Sequence, residues 1–336
     1  MILRLSHPSP VGLTRRQLVQ SALGLAGLGA TGMAPAAVGR VLFGLMPDQA
    51  TAPMFTAVLK DLQGRYLPDL GTKVTYLPGN TSGVAIEAAH RSPADGSTAL
   101  LAPSSMLTLV PYLRKLATVD PVTDLTPVAG IGEVTVVFAI GPTVPAGIKT
   151  LKDYARWVHD NPISGQFGVL GLGSASHFLG NILARWADAP LKAVAYKGMA
   201  SLTDDLAFGN LPGGFMATSG AIEAAAEGRV RLLAVCSDQR WPGMADVPTL
   251  RELGVTDVVA MLSYGFFMPA ATPAVKQQEL AAAVRQACST PAVVAALVRA
   301  ALRPMSGQGA DYPAVVARER AVWGEVLKTH RFTVDS

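Results

Sequence analysis

Short apolar runs alternate with amphipathic stretches along most of this 336-residue chain, and that alternation restricts the fold more than any single motif. Arg40 to Leu45 reads as a first strand, and Pro47-Asp48-Gln49-Ala50 as a turn. Phe55, Val58, Leu59 and Leu62 then follow at i, i+3, i+4 and i+7, the stripe of an amphipathic helix. Lys73 to Leu77 is a second strand, residues 83–91 a second helix and Thr98 to Ala102 a third strand. Strand and helix in strict turn predict a mostly parallel sheet flanked by helices.

The run VTVVFAI (134–140) opens a second unit of the same kind. Thr150-Leu151-Lys152-Asp153 has the spacing of a capping box at a helix start. Strands are expected at 166–170, 191–196, 213–217 and 229–236, with helices at 174–187, 200–208 and 220–226 between them. Another strand is expected near Met261 to Met268, and after it only helices, at about 274–288, 291–302 and 311–328. Three terminal helices with no sheet of their own must pack on one already made. The economical arrangement sends the chain from a first lobe to a second near residue 138 and back near residue 264. Lobe one is then 40–138 plus 264–336, and lobe two is 139–263. Ligands of open α/β sheets sit beyond the carboxyl ends of the strands, so the loops after the strands should line a cleft between the lobes.

Residues 1–36 hold Arg4, Arg15 and Arg16 and no acid, so the remainder carries only +1 of the formal +4. A chain so close to neutral offers no broad basic face to nucleic acid or anionic lipid. Arg15-Arg16, the Gly/Ala-rich apolar stretch Ser21 to Met33 and Ala34-Pro35-Ala36 together read as an export signal peptide. The Thr-Arg-Arg-Gln-Leu pattern is like a twin-arginine signal; a general secretory signal is the alternative. The stretch is short for a ~30 Å hydrocarbon core. Its glycines, Gly24 to Gly32, each cost ~1 kcal/mol in a helix interior, against an anchor helix. No later segment reaches ~18 uninterrupted apolar residues. The mature protein is expected in the periplasm, with Cys236 and Cys288 as buried free thiols. The five histidines are scattered, so no metal site is expected, and none of the motifs calls for a cofactor.

The stretch FGVLGLGSASHFLG (167–180) holds the candidate site of lobe two. A dinucleotide loop needs G-x-G-x-x-G with an acid about 20 residues on; Gly171-x-Gly173-x-x-Ser176 misses it, and Asp188 comes too soon. A nucleophile elbow needs G-x-S-x-G, which is absent. Ser174 and His177 share a helix face at i, i+3, but no acid is evidently placed to orient the imidazole. The simplest chemistry is anion capture: small residues let the backbone approach, and the unpaired N–H groups of a helix start attract negative charge. Ser174 either caps that helix or donates its hydroxyl to a carboxylate, and His177 either bonds the ligand or packs on the next loop. Tyr196 reaches the cleft or packs in the core. Gly198 opens the following helix, and Lys197 reads as a solvated charge. Asp204-Asp205 has the look of an acid–base pair, but adjacent helical residues diverge by about 100°. Thr218 and Ser219 end a strand, with helix capping as the plain role of Ser219. In lobe one, Ser104-Ser105 ends the third strand at the expected cleft edge.

PADGSTALL (93–101), DPVTDLTPV (120–128), GLGSASH (171–177), YKGMASLTDDL (196–206), RLLAVCSDQR (231–240) and DVPTLRELG (246–254) occur in that order. The succession resembles the Bug-type solute receptors of tripartite tricarboxylate transporters, and the likeness runs from about residue 40 to 328. It implies an α/β, two-lobed periplasmic binding protein fold of type II-like organisation. It further implies a monomeric, non-enzymatic receptor that closes on a small carboxylate and hands it to membrane permease subunits. Ligands in that family include tricarboxylates, dicarboxylates, amino acids and aromatic acids. Two loops depart from the pattern. Where the family has a Pro-Gly-Gly-rich loop at the ligand, this chain has Leu45-Met46-Pro47-Asp48-Gln49-Ala50-Thr51. The loop Pro78-Gly79-Asn80-Thr81-Ser82-Gly83 keeps its turn but carries Asn80 and Thr81 at small positions. Met46, Asp48, Thr51, Asn80 and Ser82 are therefore candidate ligand residues, in a pocket narrower or more polar than usual. Asp48 repels a carboxylate unless it takes an amino group or faces away. Two other functions fit the same architecture: a hydrolase using Ser174, His177 and Tyr196, and a sensor read by a signalling protein.

Overall fold

The computed structural model describes residues 40–43, 52–65, 74–76, 83–113, 119–172, 174–255, 262–305 and 311–330; the expected export signal lies outside them. The chain opens with β1 (Arg40–Phe43), α1 (Ala52–Arg65), β2 (Val74–Tyr76), α2 (Gly83–His90) and β3 (Thr98–Pro103). Three short helices follow, α3 (Ser105–Thr108), α4 (Val110–Leu113) and α5 (Pro121–Asp124), and then β4 (Leu125–Val134). The second unit runs β5 (Val136–Ile140), α6 (Leu151–Asp160), β6 (Gln166–Val169), α7 (Ala175–Ala187), β7 (Lys192–Ala195), α8 (Met199–Ala207), β8 (Gly213–Ala217), α9 (Thr218–Ala226) and β9 (Arg231–Val235). The last part is β10 (Leu262–Pro269), α10 (Ala274–Ala287), α11 (Pro291–Arg299), β11 (Arg303–Pro304) and α12 (Tyr312–His330).

These strands form two sheets, in the orders β11-β4-β10-β3-β1-β2 and β7-β6-β8-β5-β9. The α/β two-sheet architecture is the one expected, but both sheets are mixed rather than mostly parallel. β1, β2 and β3 run parallel, while β10 is antiparallel to β3 and to β4. In the second sheet β6, β7 and β8 run parallel, while β5 is antiparallel to β8 and to β9. The reason is topological. The strand that enters a sheet from the other one enters at the edge where the parallel strands end, so it must run against them.

Both sheets are covered on both faces, which is why the strands read as near-continuous apolar runs. Successive residues take opposite sides. Val41, Leu101 and Phe266 pack with Phe55, Val58, Leu280 and Leu297 of α1, α10 and α11. Leu42, Leu100 and Phe267 face Ile86, Met106 and Tyr312 on the other side. In the second sheet Phe138, Phe167 and Phe215 meet Tyr154, Phe178 and Ile182, while Val137 and Met216 meet Leu202, Leu206 and Ala221. Full burial of each such side chain stabilises the fold by about 1.5–3 kcal/mol.

Two features escape a reading of local pattern. β4 carries Pro127, which cannot donate to a ladder. It is tolerated at an irregularity: the register slips between Phe266, opposite Ala129, and Phe267, opposite Pro127. On β4's other side β11 reaches only Gly132 and Glu133, so no ladder partner is lost there. The second feature is α12. Its Tyr312 and Val316 pack with the first sheet, but Trp323 and Val326 belong to the core of the second. The tail helix, expected with lobe one alone, thus packs on both sheets, and the Trp323 and Phe178 rings meet at 6.2 Å.

Local signals hold where they are strong. The Thr150–Asp153 capping box forms reciprocally at the start of α6. Arg231 stitches the loop after β5, its Nη1 donating to the carbonyls of Pro145 (2.9 Å) and Ile148 (2.6 Å) and its Nη2 to those of Gly141 and Val144. Arg231→Met removes that donor from four carbonyls, of which those of Val144 and Ile148 are left without it while those of Gly141 and Pro145 keep the backbone N–H groups of Val144 and Ile148. Denaturant melts should show a loss of about 2 kcal/mol, with faster amide exchange confined to residues 141–148. Gly180 lets α7 lie against β6: a Cβ there would sit 2.0 Å from the Phe167 ring. Gly180→Ala should cost on the order of 1–3 kcal/mol in the same melts through overpacking.

Candidate functional site

The chain passes between the sheets through one residue. Val134 is the last of β4 and Val136 the first of β5, with Thr135 buried between them. Register fixes what flanks this crossover. On the first sheet Pro103, the end of β3, pairs with Tyr264, which pairs in turn with Gly132 near the end of β4. On the second, Val136 pairs with Ala217, the end of β8, and its carbonyl accepts from Cys236 just past β9. The carboxyl ends of both sets of strands therefore turn toward the same crossover.

In the second sheet a helix follows each of the parallel strands β6, β7 and β8. Ser174 caps α7: its backbone is extended and its Oγ accepts from the His177 N–H at 3.3 Å. The Ser174 and Ser176 hydroxyls lie 3.0 Å apart. Gly171 has φ +98, a conformation that favours glycine, and lets the chain turn from β6 into α7. Gly198 is extended and caps α8 with no side-chain acceptor, and a Cβ there would meet nothing within 4 Å. Ala217 precedes α9, again with no side-chain cap. Three helix starts with N–H groups pointing out of one edge make a field that favours an anion. Leu170 and Leu172, not singled out in the sequence, are exposed beside Ser174. Leu170 closes the stretch 166–170 that reads as a strand, which ends instead at Val169, and Leu172 follows in the turn.

Other candidates are already engaged with the protein. His177 is 2 % exposed, stacks at a tilt beside Phe178 and lies 3.5 Å from Asn181 through Nε2. The Tyr196 hydroxyl donates to Asp205 at 2.8 Å, and burial together with that carboxylate pushes the phenol up to about 12. Asp205 also accepts from Asn210, so the Asp204-Asp205 pair is a local brace. Thr218 is buried and donates to the Ala301 carbonyl at 3.0 Å, as does the Trp241 indole, also at 3.0 Å. Beside this pair Arg303 lies over the Trp241 ring and contacts Glu133 at 2.5 Å and Asp238 at 3.6 Å. Thr218, Trp241 and Asp238 follow second-sheet strands, while Ala301 and Arg303 belong with the first sheet, so this is a clasp between the two.

Ser105 is half-buried at the start of α3. Ser104 is fully buried; its Oγ accepts from the Ser263 N–H at 3.0 Å and its backbone N–H donates to Ser263 O at 2.7 Å. Its hydroxyl also meets the carboxyl of Glu319 on α12, and the Ser263 hydroxyl donates to Glu319 Oε1 at 3.0 Å. Burial pushes Glu319 up to about 7, opposed by hydrogen bonds from the two serines and by Arg318, and aided by Glu133. Sequence reasoning gave no sign of this residue; its acid stands in an ordinary amphipathic helix. Met46, Asp48, Thr51, Asn80, Ser82 and Gly173 lie outside the described residues. Among the described residues no three His, Cys, Asp or Glu side chains gather as a metal set. Both cysteines are free and buried, which raises their thiols, Cys288 to about 12.

Comparison with known proteins agrees with this architecture. The Protein BugT of Bordetella pertussis is 26% identical over 281 residues, covering 81% of this chain and 84% of its own. Among solved structures, Rpa4515 of R. palustris with adipate superposes with a TM-score of 0.74 at 23% identity, over 88% of this chain and 97% of that one. MatC (Rpa3494) from Rhodopseudomonas palustris with bound malate gives 0.70 at 22%, over 86% and 98%. Periplasmic binding protein BugD gives 0.71 at 21%, over 87% and 96%. The model of the tripartite tricarboxylate transporter family receptor, TctC, matches residues 73–331, and the chain belongs to that family.

Proposed function

We propose that this receptor captures a small carboxylate in the periplasm, between its two lobes, and delivers it to the permease of a tripartite tricarboxylate transporter. The observation that carries the reading is the crossover at Thr135, toward which the strand ends of both sheets turn. On the second-sheet side the crevice presents the starts of α7, α8 and α9, each able to favour an anion by roughly 0.3–1 kcal/mol. Exposed Leu170 and Leu172 beside Ser174 suit the carbon chain of an organic acid rather than a bare inorganic anion. Relatives crystallised with adipate and with malate support the same class of solute.

In this reading Ser174, Gly173 and Gly198 present the carboxylate with backbone N–H groups and a hydroxyl, and Ser105 adds a hydroxyl from lobe one. Met46, Asp48, Thr51, Asn80 and Ser82 are proposed as further ligand residues. Asp48 in that loop favours a solute that also carries an amino group or a second donor. His177, Ser104, Tyr196 and Thr218 support the walls, since each is tied to protein groups. The family is one of transporter receptors, so the protein is a binding protein and the hydrolase reading falls.

A thermal-shift screen of di- and tricarboxylates, aromatic acids and amino acids tests the proposal. At 100 times Kd the right solute should add about 2.7 kcal/mol to the unfolding free energy and be recovered chemically intact. A flat response across all the acids would remove the carboxylate reading. Ser174→Gly separates binding from capping, because glycine is nearly as good a cap while lacking the hydroxyl. It should weaken binding of the screen's best acid about tenfold and leave the ligand-free melting temperature almost unchanged. Equal affinity in variant and parent would take Ser174 out of the site.

A further inference from the structure

We propose that Glu319 is the positioning residue of the pivot between the two lobes, holding the pivot together as the neutral acid and releasing it when the proton leaves to solvent. The inference rests on reading the chain as a receptor that closes on its solute, and it names how that closure is regulated.

The geometry at the pivot singles this residue out. Three stretches of chain link the lobes. The first is β4 into β5 at Thr135. The second is the return into β10, where Leu262 pairs with Val134 and Ser263 with Glu133. The third is α12, which packs on the first sheet through Tyr312 and Val316 and on the second through Trp323 and Val326. The Glu319 carboxyl lies between those two pairs on α12 and bonds the Ser263 hydroxyl of the returning strand and the Ser104 hydroxyl at the end of β3. One side chain thus joins the helix to both strand ends beside the crossover.

Its charge state is the sensitive part. Glu319 is 8 % exposed, and its Oε2 is buried with no hydrogen-bond partner among the described residues. A neutral carboxyl tolerates one idle oxygen; an ionised one leaves uncompensated charge in a low-dielectric site. The surroundings do not supply a full counter-charge. β4 offers Glu133, which is repulsive and is itself paired with Arg303 of β11. Its own helix offers Arg318 and the Tyr312 phenol, which lies 3.4 Å from the Ser263 hydroxyl. α3 has no ionisable side chain, and α7 carries His177 next to the Phe178 that meets Trp323. Burial pushes the Glu319 carboxyl up to about 7, so the proton is exchanged near neutrality. Because the folded protein holds this proton more tightly than the unfolded chain, the group's contribution to stability is full below its ordinary value of 4.5 and is lost as the pH rises from there through about 7.

The test uses the full ligand-free chain, so its outcome is independent of which solute is bound. Spin labels at Phe208→Cys on one lobe and Val275→Cys on the other take exposed sites, while Cys236 and Cys288 are buried. The interlabel distance distribution should broaden and lengthen between pH 5.5 and 8.5 with a midpoint near 7. In Glu319→Gln it should keep the low-pH form at both values. An unchanged distribution in the parent overturns the proposal. So does a shift that persists in Glu319→Gln and disappears in His177→Asn, which would assign the proton to the histidine. Infrared spectroscopy provides a measurement that does not depend on the glutamine variant folding. The parent should show a buried carboxylic-acid band at pH 6 that is lost at pH 8.5, and Ser263→Ala should move its midpoint upward, since that hydroxyl favours the carboxylate. Absence of the band at pH 6 overturns the proposal, while a failed carboxylate screen with the band and the distance shift present would overturn only the choice of solute.

Discussion

One peptide segment, Val134-Thr135-Val136, governs the rest of the molecule. A chain that leaves one sheet where its parallel strands end, and enters the next after a single residue, has only one way to continue. The entering strand must run away from that edge, so β5 is antiparallel to its neighbours, and β10 repeats the constraint on return. The mixed sheets and the orientation of the helix starts are consequences of that geometry rather than separate features. Had a long linker joined the sheets, the strand ends of the two halves would be under no obligation to meet.

The same geometry separates two kinds of polar group that look alike in sequence. Groups at helix starts, such as the N–H groups beyond Gly198, have no side-chain cap among the described residues, and a helix start of that kind favours an anion. Groups a few ångströms deeper must already be satisfied, because a buried hydroxyl without a partner costs roughly 1–3 kcal/mol. Ser104, Thr218 and Tyr196 belong to the second kind: their partners are Ser263 with Glu319, Ala301 and Asp205. On the proposed reading the chemistry of solute capture then falls to backbone and to small side chains.

The alternation of strand and helix was legible because both sheet faces are buried, so periodicity and apolarity agree at nearly every element. The capping box at Thr150 and the serine cap of α7 were legible because they are local. What sequence did not disclose is long-range. β4 hides behind Pro127, whose missing donor matters only if the register continues, and it does not. α12 has the pattern of an ordinary amphipathic helix, and nothing in it announces that its two ends belong to different cores. Thr218 as a clasp, and Glu319 as a buried acid, depend on partners 83 and 56 residues away. No window of sequence contains both halves of such a contact.

The clasp and the pivot bear differently on motion. Ala301 takes a left-handed backbone conformation at φ +54, which disfavours a residue with a side chain. Two donors from the other lobe, Thr218 and Trp241, converge on its carbonyl, and Arg303 two residues on is held by Trp241, Glu133 and Asp238. Contacts of that number, with Thr218 and Trp241 buried, offset the local strain and oppose separation on this flank. The β4–β10 ladder likewise continues to the last residue before the crossover, Val134 opposite Leu262. In a receptor that closes as proposed, α12 is an element whose two halves are held by different sheets. Glu319 stands on α12 between the residues that pack on each sheet, and under the proposal one proton there weighs on the movement while the cores on either side stay packed.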